Sequence, residues 1–298
     1  MRISREPTIL LPRHRRPVPQ FRTAGFTLIE LLMVMTIIGI LIALILPAVA
    51  NVISRVHFAE AKTEISGLET ALSKFKSDHN VYPPSNIVLS EVGGNWTADA
   101  KSKIREMFGT SFNFNKNRDL NNDGVISGNL DLNGAECLVF FLGGMMKPRA
   151  TPTDPIGHIG FSNNPTDPFL VTGLSREARF FEFKNDRFTD LDNDGMPEYK
   201  DPLPDQLAPY WYVEASSYRT ASLPPADPQH TRDFLGSTLT TTYTDGTQFH
   251  NKNSFQIISP GSDALYGLGG VYKPDDASAL TIDEQDNLTN FAKGVLGN

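Results

Sequence analysis

The most constraining feature of this sequence is an unbroken apolar run near its amino terminus. Residues 26–50 contain one charged residue, Glu30, and no other charge lies between Arg22 and Arg55. As an α-helix this run would extend about 37 Å, which exceeds the roughly 30 Å hydrocarbon core of a bilayer. The run therefore predicts a single membrane-spanning helix.

Charge is distributed unevenly on the two sides of the apolar run. The first 25 residues are rich in arginine, whereas the whole chain of 298 residues has a net charge of −7. Because basic residues favour the cytoplasmic side, we expect a cytoplasmic amino terminus and the bulk of the chain outside the cytoplasm. The acidic remainder argues against a phosphate-binding surface, so nucleic acid is not an expected partner.

Glu30 is the residue of this run that most needs an explanation. A carboxylate inside a membrane costs about 2.5–3.5 kcal/mol on insertion scales, so such acids normally have a partner or a function. If the chain were cut after Gly25, Phe26 would gain a free amine, and Glu30 could neutralise the amine of an adjoining copy. The alternative is that Glu30 lies at the membrane interface.

The sequence GFTLIE at residues 25–30, followed by an apolar stretch, resembles the class III signal of type IV pilins and type II secretion pseudopilins. The resemblance implies that a prepilin peptidase cuts between Gly25 and Phe26 and methylates the amine of Phe26. It also implies that Glu30 is the assembly glutamate, and Pro47 falls where many members have a helix-kinking proline. The implied partners are a homo-oligomeric filament, an inner-membrane assembly platform and minor pseudopilins.

Beyond Pro47, apolar residues recur at spacings of three and four, which indicates an amphipathic helix. They are Val52, Val56, Ala59, Ile65, Leu68, Leu72 and Phe75. We expect one helix over about 27–79, ended by Tyr82-Pro83, with this stripe packed on the carboxy-terminal domain. A long helix that closes in Tyr-Pro resembles the major pseudopilin of type II secretion.

From residue 85 onward, dense turn residues separate short strand-like segments. This pattern predicts an α+β fold in which one antiparallel sheet packs on the exposed half of the long helix. A short helix is expected at 101–108. The predicted strands are 137–142, 178–184, 210–215, 239–243 and 254–258.

These elements give four segments. We expect a removed leader at 1–25, a transmembrane half-helix at 26–50, an amphipathic half-helix at 51–80 and a soluble domain at 81–298. Residues of about 85–250 are far longer than the variable region of a typical major pseudopilin, and we interpret them as an insertion.

Two segments of the soluble domain place oxygen-bearing side chains at alternate positions, as calcium-binding loops do. In the first segment the oxygens fall at relative positions 1, 3, 5, 9 and 12, with a glycine at position 6. The predicted ligands are Asp190, Asp192, Asp194, Glu198 and Asp201, together with the carbonyl of Met196. The second segment offers Asp119, Asn121 and Asp123. The alternative for both segments is a solvated turn rich in Asp and Asn.

The end of the chain supplies a third candidate cation site. Residues 254–291 resemble the last strand and calcium loop of major pseudopilins, and this resemblance implies Asp263 and Asp286 as ligands. Asn287 stands at the aligned place of the second acid, and residues 275–276 are an alternative source of it. Calcium is therefore the expected cofactor.

An enzymatic function finds little support in the sequence. The six histidines show no paired metal spacing, and the single cysteine, Cys137, excludes an intramolecular disulfide and a multi-cysteine zinc site. There is no nucleophile elbow, phosphate loop or dinucleotide fingerprint. We expect a structural filament subunit, with a tethered hydrolase or a membrane-anchored calcium-dependent binding protein as alternatives.

Overall fold

The computed structural model describes residues 27–149, 154–218 and 241–297. Gly25, Phe26 and the first two residues of the strand predicted at 239–243 lie outside these ranges. The chain divides into two compact units, Met1–Val52 and Ile53–Asn298.

The long amino-terminal helix is present. Helix α1 runs from Leu28 to His79, in agreement with the helix expected over 27–79. It ends because Asn80 adopts a left-handed conformation, with φ of 68°, ahead of the two prolines that cannot continue a helix.

From Ile65 onward the amphipathic stripe of α1 covers the core of the second unit, as predicted, whereas Val52, Val56 and Ala59 of the same stripe are exposed. The side chains of Ile65, Leu68, Leu72 and Phe75 are fully buried. They belong to one hydrophobic cluster with residues of the following helices and strands. Burial of this face, rather than helix propensity, provides most of the stability of this half of α1.

The segment after α1 forms a hairpin-like pair of strands around a short helix. Strand β1 (Ile87–Ser90) pairs antiparallel with β2 (Asn129–Leu132). Between them, α2 (Ala98–Phe108) begins at Thr97, whose side chain accepts a hydrogen bond from the backbone N–H of Ala100. The helix predicted at 101–108 is confirmed and begins three residues earlier.

The strand predicted at 137–142 is wrong, because these residues belong to helix α3 (Gly134–Gly143). Every residue of α3 is buried, so its apolar run shows no periodicity that separates a helix from a strand. The local signal for a helix is the capping box, in which Asn133 and Glu136 each bind the other's backbone N–H. Cys137 is buried and free.

The strands form separate small antiparallel sheets rather than the single sheet that was expected. Strand β3 (Phe188–Thr189) pairs with β4 (Glu198–Tyr199). Strands β5 (Trp211–Glu214), β6 (Phe255–Ser259) and β7 (Leu288–Thr289) form a three-stranded sheet in that order. The strands predicted at 210–215 and 254–258 are therefore confirmed, and the mixture of helices and antiparallel strands is the predicted α+β class.

Two other predicted strands are not found in the described part of the chain. Residues 178–184 are irregular, because the N–H groups of Phe180 and Phe181 both donate to the carbonyl of Leu142 at the end of α3. Residues 241–243 are not a strand either, and isolated bridges occur next to them at Thr244.

Candidate functional site

The start of α1 holds Glu30 through a reciprocal hydrogen-bond arrangement with Thr27. Glu30 Oε2 accepts hydrogen bonds from the Thr27 backbone N–H, at 2.8 Å, and from the Thr27 hydroxyl, at 2.7 Å. The backbone N–H of Glu30 donates back to the Thr27 hydroxyl at 3.3 Å. This is the geometry of a capping box, and a carboxylate in the first turn also favours the helix dipole. Glu30 is therefore fixed at the entrance of the helix.

The apolar part of α1 leaves its side chains uncovered. Large apolar side chains from Leu28 to Leu46 are exposed, and the most apolar window of the helix buries nothing within the protein. By length and composition α1 is able to cross a membrane. Pro47 lies inside the helix, which continues on both sides of it. The kink expected at Pro47 stays a prediction.

The two acidic loops of the second unit adopt the same turn. In the loop that comes first along the chain, Asp119 accepts hydrogen bonds from the N–H groups of Asp123 and Gly124. In the second, between β3 and β4, Asp190 accepts one from the N–H of Gly195 at 3.1 Å. In both turns the fourth and sixth residues, an asparagine and a glycine, have left-handed backbone conformations. The alternate acids thus fold their own backbone into a tight loop.

The two acidic loops also contact each other, which the sequence did not indicate. The side-chain amide of Asn121 donates a 2.9 Å hydrogen bond to the backbone carbonyl of Asp194. Gly195 permits this approach, because a Cβ atom there would lie 2.8 Å from Asn121 Nδ2. Asn121 therefore holds the backbone of the second loop in place at Asp194.

The carboxylates of the second loop lie close to a glutamate from a distant part of the chain. Carboxylate oxygens of Asp190, Asp192 and Asp194 lie within 4.8 Å of one another, and so do those of Asp192, Glu198 and Glu136. Asp192 is common to both groups. Glu136 comes from the first turn of α3, which packs against β4. We refer to these five residues as the acidic cluster.

Two of the predicted ligands of this loop have other roles. Asp201 is buried, and its carboxylate accepts hydrogen bonds from the side chains of Gln206 and Ser259 and from the N–H of Leu203. The structure does not bring Asp201 into the acidic cluster, where Glu136 stands instead. Met196 is buried in the hydrophobic core, and its N–H donates to Asp194 Oδ1 at 2.7 Å. A role for the Met196 carbonyl stays a prediction.

The amino-terminal segment is the part of the chain that is similar to known proteins. Residues 21–46 match the model described as the prokaryotic N-terminal methylation motif, and this match includes Gly25, Phe26 and Glu30. The type II secretion system core protein G of Pseudomonas aeruginosa is 34% identical over 89 residues, which are 27% of this chain and 63% of that protein. Over its amino-terminal part the chain is thus similar to type IV pilins and to type II secretion system core protein G.

Other curated relatives of this pilin-like chain are named as fimbrial or pilin proteins. Fimbrial protein EcpC of Eikenella corrodens is 45% identical over 62 residues, which are 21% of this chain and 40% of the relative. The type IV major pilin protein PilE of Neisseria gonorrhoeae is 30% identical over 101 residues, which are 32% of this chain and 60% of the relative. The chain thus spans less than two thirds of the length of these relatives. No solved structure matches the chain.

The carboxy-terminal loop of this pilin-like chain places the two predicted ligands near each other. Asp286 Oδ2 accepts 2.6 Å hydrogen bonds from the N–H and the hydroxyl of Ser262, and Asp263 Oδ1 accepts one from the N–H of Leu265. Burial raises the pKa of Asp263, and the charge of Asp286 acts in the same direction. Neither acid belongs to a three-residue metal-binding group in the ranges that the structure describes. Calcium at this loop stays a prediction.

Glu136 is the residue of the acidic cluster that sequence reasoning missed. It is 54 positions ahead of Asp190 in the chain, so no loop spacing can connect them. Its capping-box pattern with Asn133 predicts the start of a helix, but the pattern carries no information on what lies beside that helix. Long-range packing of α3 on β4 decides the placement of Glu136.

Proposed function

We propose that this chain is a structural subunit of a type II secretion pseudopilus or a related type IV pilus-like filament, and that its role is in protein secretion. A prepilin peptidase removes residues 1–25 and methylates Phe26, and the subunit then assembles through α1. The mature subunit is anchored in the inner membrane with its carboxy-terminal domain in the periplasm. An assembly platform and minor pseudopilins are its partners.

The observation that carries this proposal is the isolation of Glu30 on an exposed apolar helix. Large apolar side chains on α1 from Leu28 to Leu46 have no cover within the protein, and no charge other than Glu30 lies between Arg22 and Arg55. In lipid, an unpaired carboxylate is costly. An amine on Phe26 of a neighbouring subunit would compensate this cost, so side-by-side packing of the helices is favoured.

Two observations favour a role in secretion over one in adhesion. Core protein G of type II secretion systems is among the curated relatives of this chain. The resemblance of residues 254–291 to the last strand and loop of major pseudopilins points the same way.

A local role for Glu30 is the competing explanation, because the capping box with Thr27 already gives its carboxylate two donors. Glu30→Gln separates the two roles. Glutamine retains the capping box but carries no charge, whereas Glu30→Ala removes both. Thr36→Ala is a matched control, since the Thr36 hydroxyl bonds within the same helix to the carbonyl of Leu32.

The test measures filament incorporation in cells by shearing and immunoblotting, with leader cleavage followed by intact-mass measurement of the membrane-bound protein. We expect Glu30→Gln and Glu30→Ala to be inserted in the membrane but absent from filaments, and Thr36→Ala to assemble normally. Filaments formed by Glu30→Gln at the normal level would show that Glu30 is a helix cap. A chain that retains its leader, or is cut beyond the anchor, would overturn the whole proposal.

A further inference from the structure

We propose that the acidic cluster of Glu136, Asp190, Asp192, Asp194 and Glu198 binds one calcium ion and thereby joins α3 to the β3–β4 loop. The proposal concerns the second unit and does not depend on filament assembly. Asp192 belongs to both three-carboxylate groups, each of which spans at most 4.8 Å between its oxygens. A spacing of this size is what several oxygens around one cation require.

The strongest evidence is a set of buried oxygens without a hydrogen-bond partner. Glu136 and Glu198 are both fully buried. Within the described residues, Glu136 Oε1, Glu198 Oε1 and Asp190 Oδ1 have no partner. A buried acceptor left unpaired costs about 1–3 kcal/mol, and more when it is charged, so a cation bound to these oxygens would remove that cost.

In each of these three residues the second carboxylate oxygen is already used to shape the backbone. Glu136 Oε2 accepts a 2.7 Å hydrogen bond from the N–H of Asn133, and Glu198 Oε2 accepts one from the N–H of Leu191 at 3.3 Å. Asp190 Oδ2 accepts from Gly195. These bonds hold each side chain in place and leave the other oxygen available.

No positive charge offsets the cluster in the part of the chain that the structure describes. None of the five carboxylates forms an ion pair with a lysine, arginine or histidine there. Burial raises the pKa of Glu136 to about 10 and that of Glu198 to about 8, and repulsion from neighbouring acids adds to both shifts. Burial likewise raises the pKa of Asp194 to about 6. A divalent cation would supply the positive charge that these five carboxylates lack.

The donor set selects the class of ion. The cluster offers carboxylate oxygens and contains neither histidine nor cysteine, which disfavours zinc and other softer metals. Calcium accepts six to eight oxygens in flexible geometry, whereas magnesium demands a near-ideal octahedron and retains several waters. Five carboxylates from a loop, a strand and a helix provide many oxygens in an irregular arrangement, so calcium fits better.

The experiment uses the full chain in detergent, stripped of metal with EDTA and titrated with calcium chloride by calorimetry. Glu136→Gln and Glu198→Gln are the test variants, and Asp186→Asn is the matched control, because Asp186 is an exposed acid ahead of the same loop. We expect each glutamine variant to bind one calcium ion fewer than the wild type, or to bind it at least about tenfold more weakly. Asp186→Asn should bind as the wild type does.

Thermal unfolding gives a second readout, because the stability of Glu198→Gln relative to the wild type should differ between EDTA and calcium. Calcium at about 100 times its Kd should raise the midpoint of the wild type by about 5–10 °C. In EDTA, Glu198→Gln should be at least as stable as the wild type, because it removes a buried acid, and in calcium it should lose most of the gain. A purely structural role for Glu198 would lower the midpoint of the variant equally in both conditions.

Asp201→Asn distinguishes the ligand set found in the structure from the one expected from the sequence. If Asp201→Asn retains the calcium ion that Glu136→Gln loses, the assignment of Glu136 is supported. If Asp201→Asn loses the ion and Glu136→Gln retains it, the proposed ligand set is overturned. The proposal also fails if wild-type protein takes up no calcium, or takes up magnesium with equal affinity.

Discussion

Arg187 binds Glu64 through both nitrogens of its guanidinium fork, and this pair ties the residues ahead of β3 to the buried half of α1. The contact between Arg187 Nη1 and Glu64 Oε2 is 2.8 Å, and each side chain is 11% exposed. The hydroxyls of Tyr199 and Tyr210 also donate to Glu64, at 3.2 and 2.9 Å. Glu64 is thus the centre of a polar network inside an otherwise apolar interface.

Arg187→Ala should destabilise the protein by about 3 kcal/mol, because the partner left behind is a carboxylate in a poorly solvated place. The control is Lys184→Ala, which breaks the exposed pair of Lys184 with Glu60 and should cost less than about 1 kcal/mol. Chemical denaturation of the full chain in detergent measures both values. Equal losses for the two variants would contradict the role given to Arg187.

Lys62→Met should loosen the end of the chain. Lys62 Nζ donates to the carbonyls of Thr289 and Ala292, two buried residues at β7 and just after it. Withdrawal of the donor leaves these carbonyls unpaired, at a cost of about 1–3 kcal/mol each. We expect faster hydrogen exchange at residues 288–292. Lys74→Met, at an exposed position of the same helix, should leave that exchange unchanged.

The sequence predicted α1 well, because its signal is long and repeated. A run of 25 residues with a single charge and then a stripe at three- and four-residue spacing both point to a helix, and the buried face of Ile65, Leu68 and Phe75 follows from that stripe. Helix α3 was missed because it is short and buried on all sides, which removes the periodicity on which such a prediction depends.

Only the local part of the acidic cluster could be predicted from the sequence. The spacing of Asp190, Asp192 and Asp194 is local, and the loop that they form follows from it. The contributions of Glu136 and of Asn121 depend on contacts between segments far apart in the chain, which a single sequence does not encode in any spacing. Asp201 was predicted as a ligand of this loop for the same reason, because the hydrogen bond that holds it elsewhere comes from Ser259, 58 residues away.

Glu177→Gln should destabilise the protein more in acid than in alkali. His79 Nε2 lies 3.4 Å from Glu177 Oε2, and His79 Nδ1 lies 2.9 Å from the carbonyl oxygen of Met107. Burial lowers the pKa of His79, but these two contacts outweigh burial and hold the pKa above its ordinary value of 6.5. A raised pKa in the folded state contributes stability below the unfolded pKa, and the contribution is lost as the pH rises through the folded pKa.

For this variant we expect a loss of about 1 kcal/mol near pH 5.5 and a smaller loss near pH 8.5. Glu182→Gln is the control, because Glu182 is highly exposed and pairs with Arg179 rather than with a histidine. Its effect should be small at both pH values. A loss for Glu177→Gln that does not change with pH would show that His79 carries no charge in the folded protein.

Gly195→Ala should cost more than Gly94→Ala, although both glycines have the same backbone φ of 88°. An alanine in this left-handed region costs about 1–2 kcal/mol at either position. At Gly94 the added Cβ meets nothing within 4 Å, whereas at Gly195 it would lie 2.8 Å from Asn121 Nδ2. Asn121 cannot withdraw without losing its hydrogen bond to Asp194, which adds about 1 kcal/mol.

Denaturation in EDTA measures this difference without a contribution from bound calcium. In the double variant Asn121→Ala with Gly195→Ala, the amide that blocks the new Cβ is gone, so the combined loss should be smaller than the sum of the two single losses. Strict additivity would show that the two loops do not press on each other at Gly195. The same pair of single variants should then weaken calcium binding, because the Asn121 hydrogen bond positions the backbone of the loop that carries Asp190, Asp192 and Asp194.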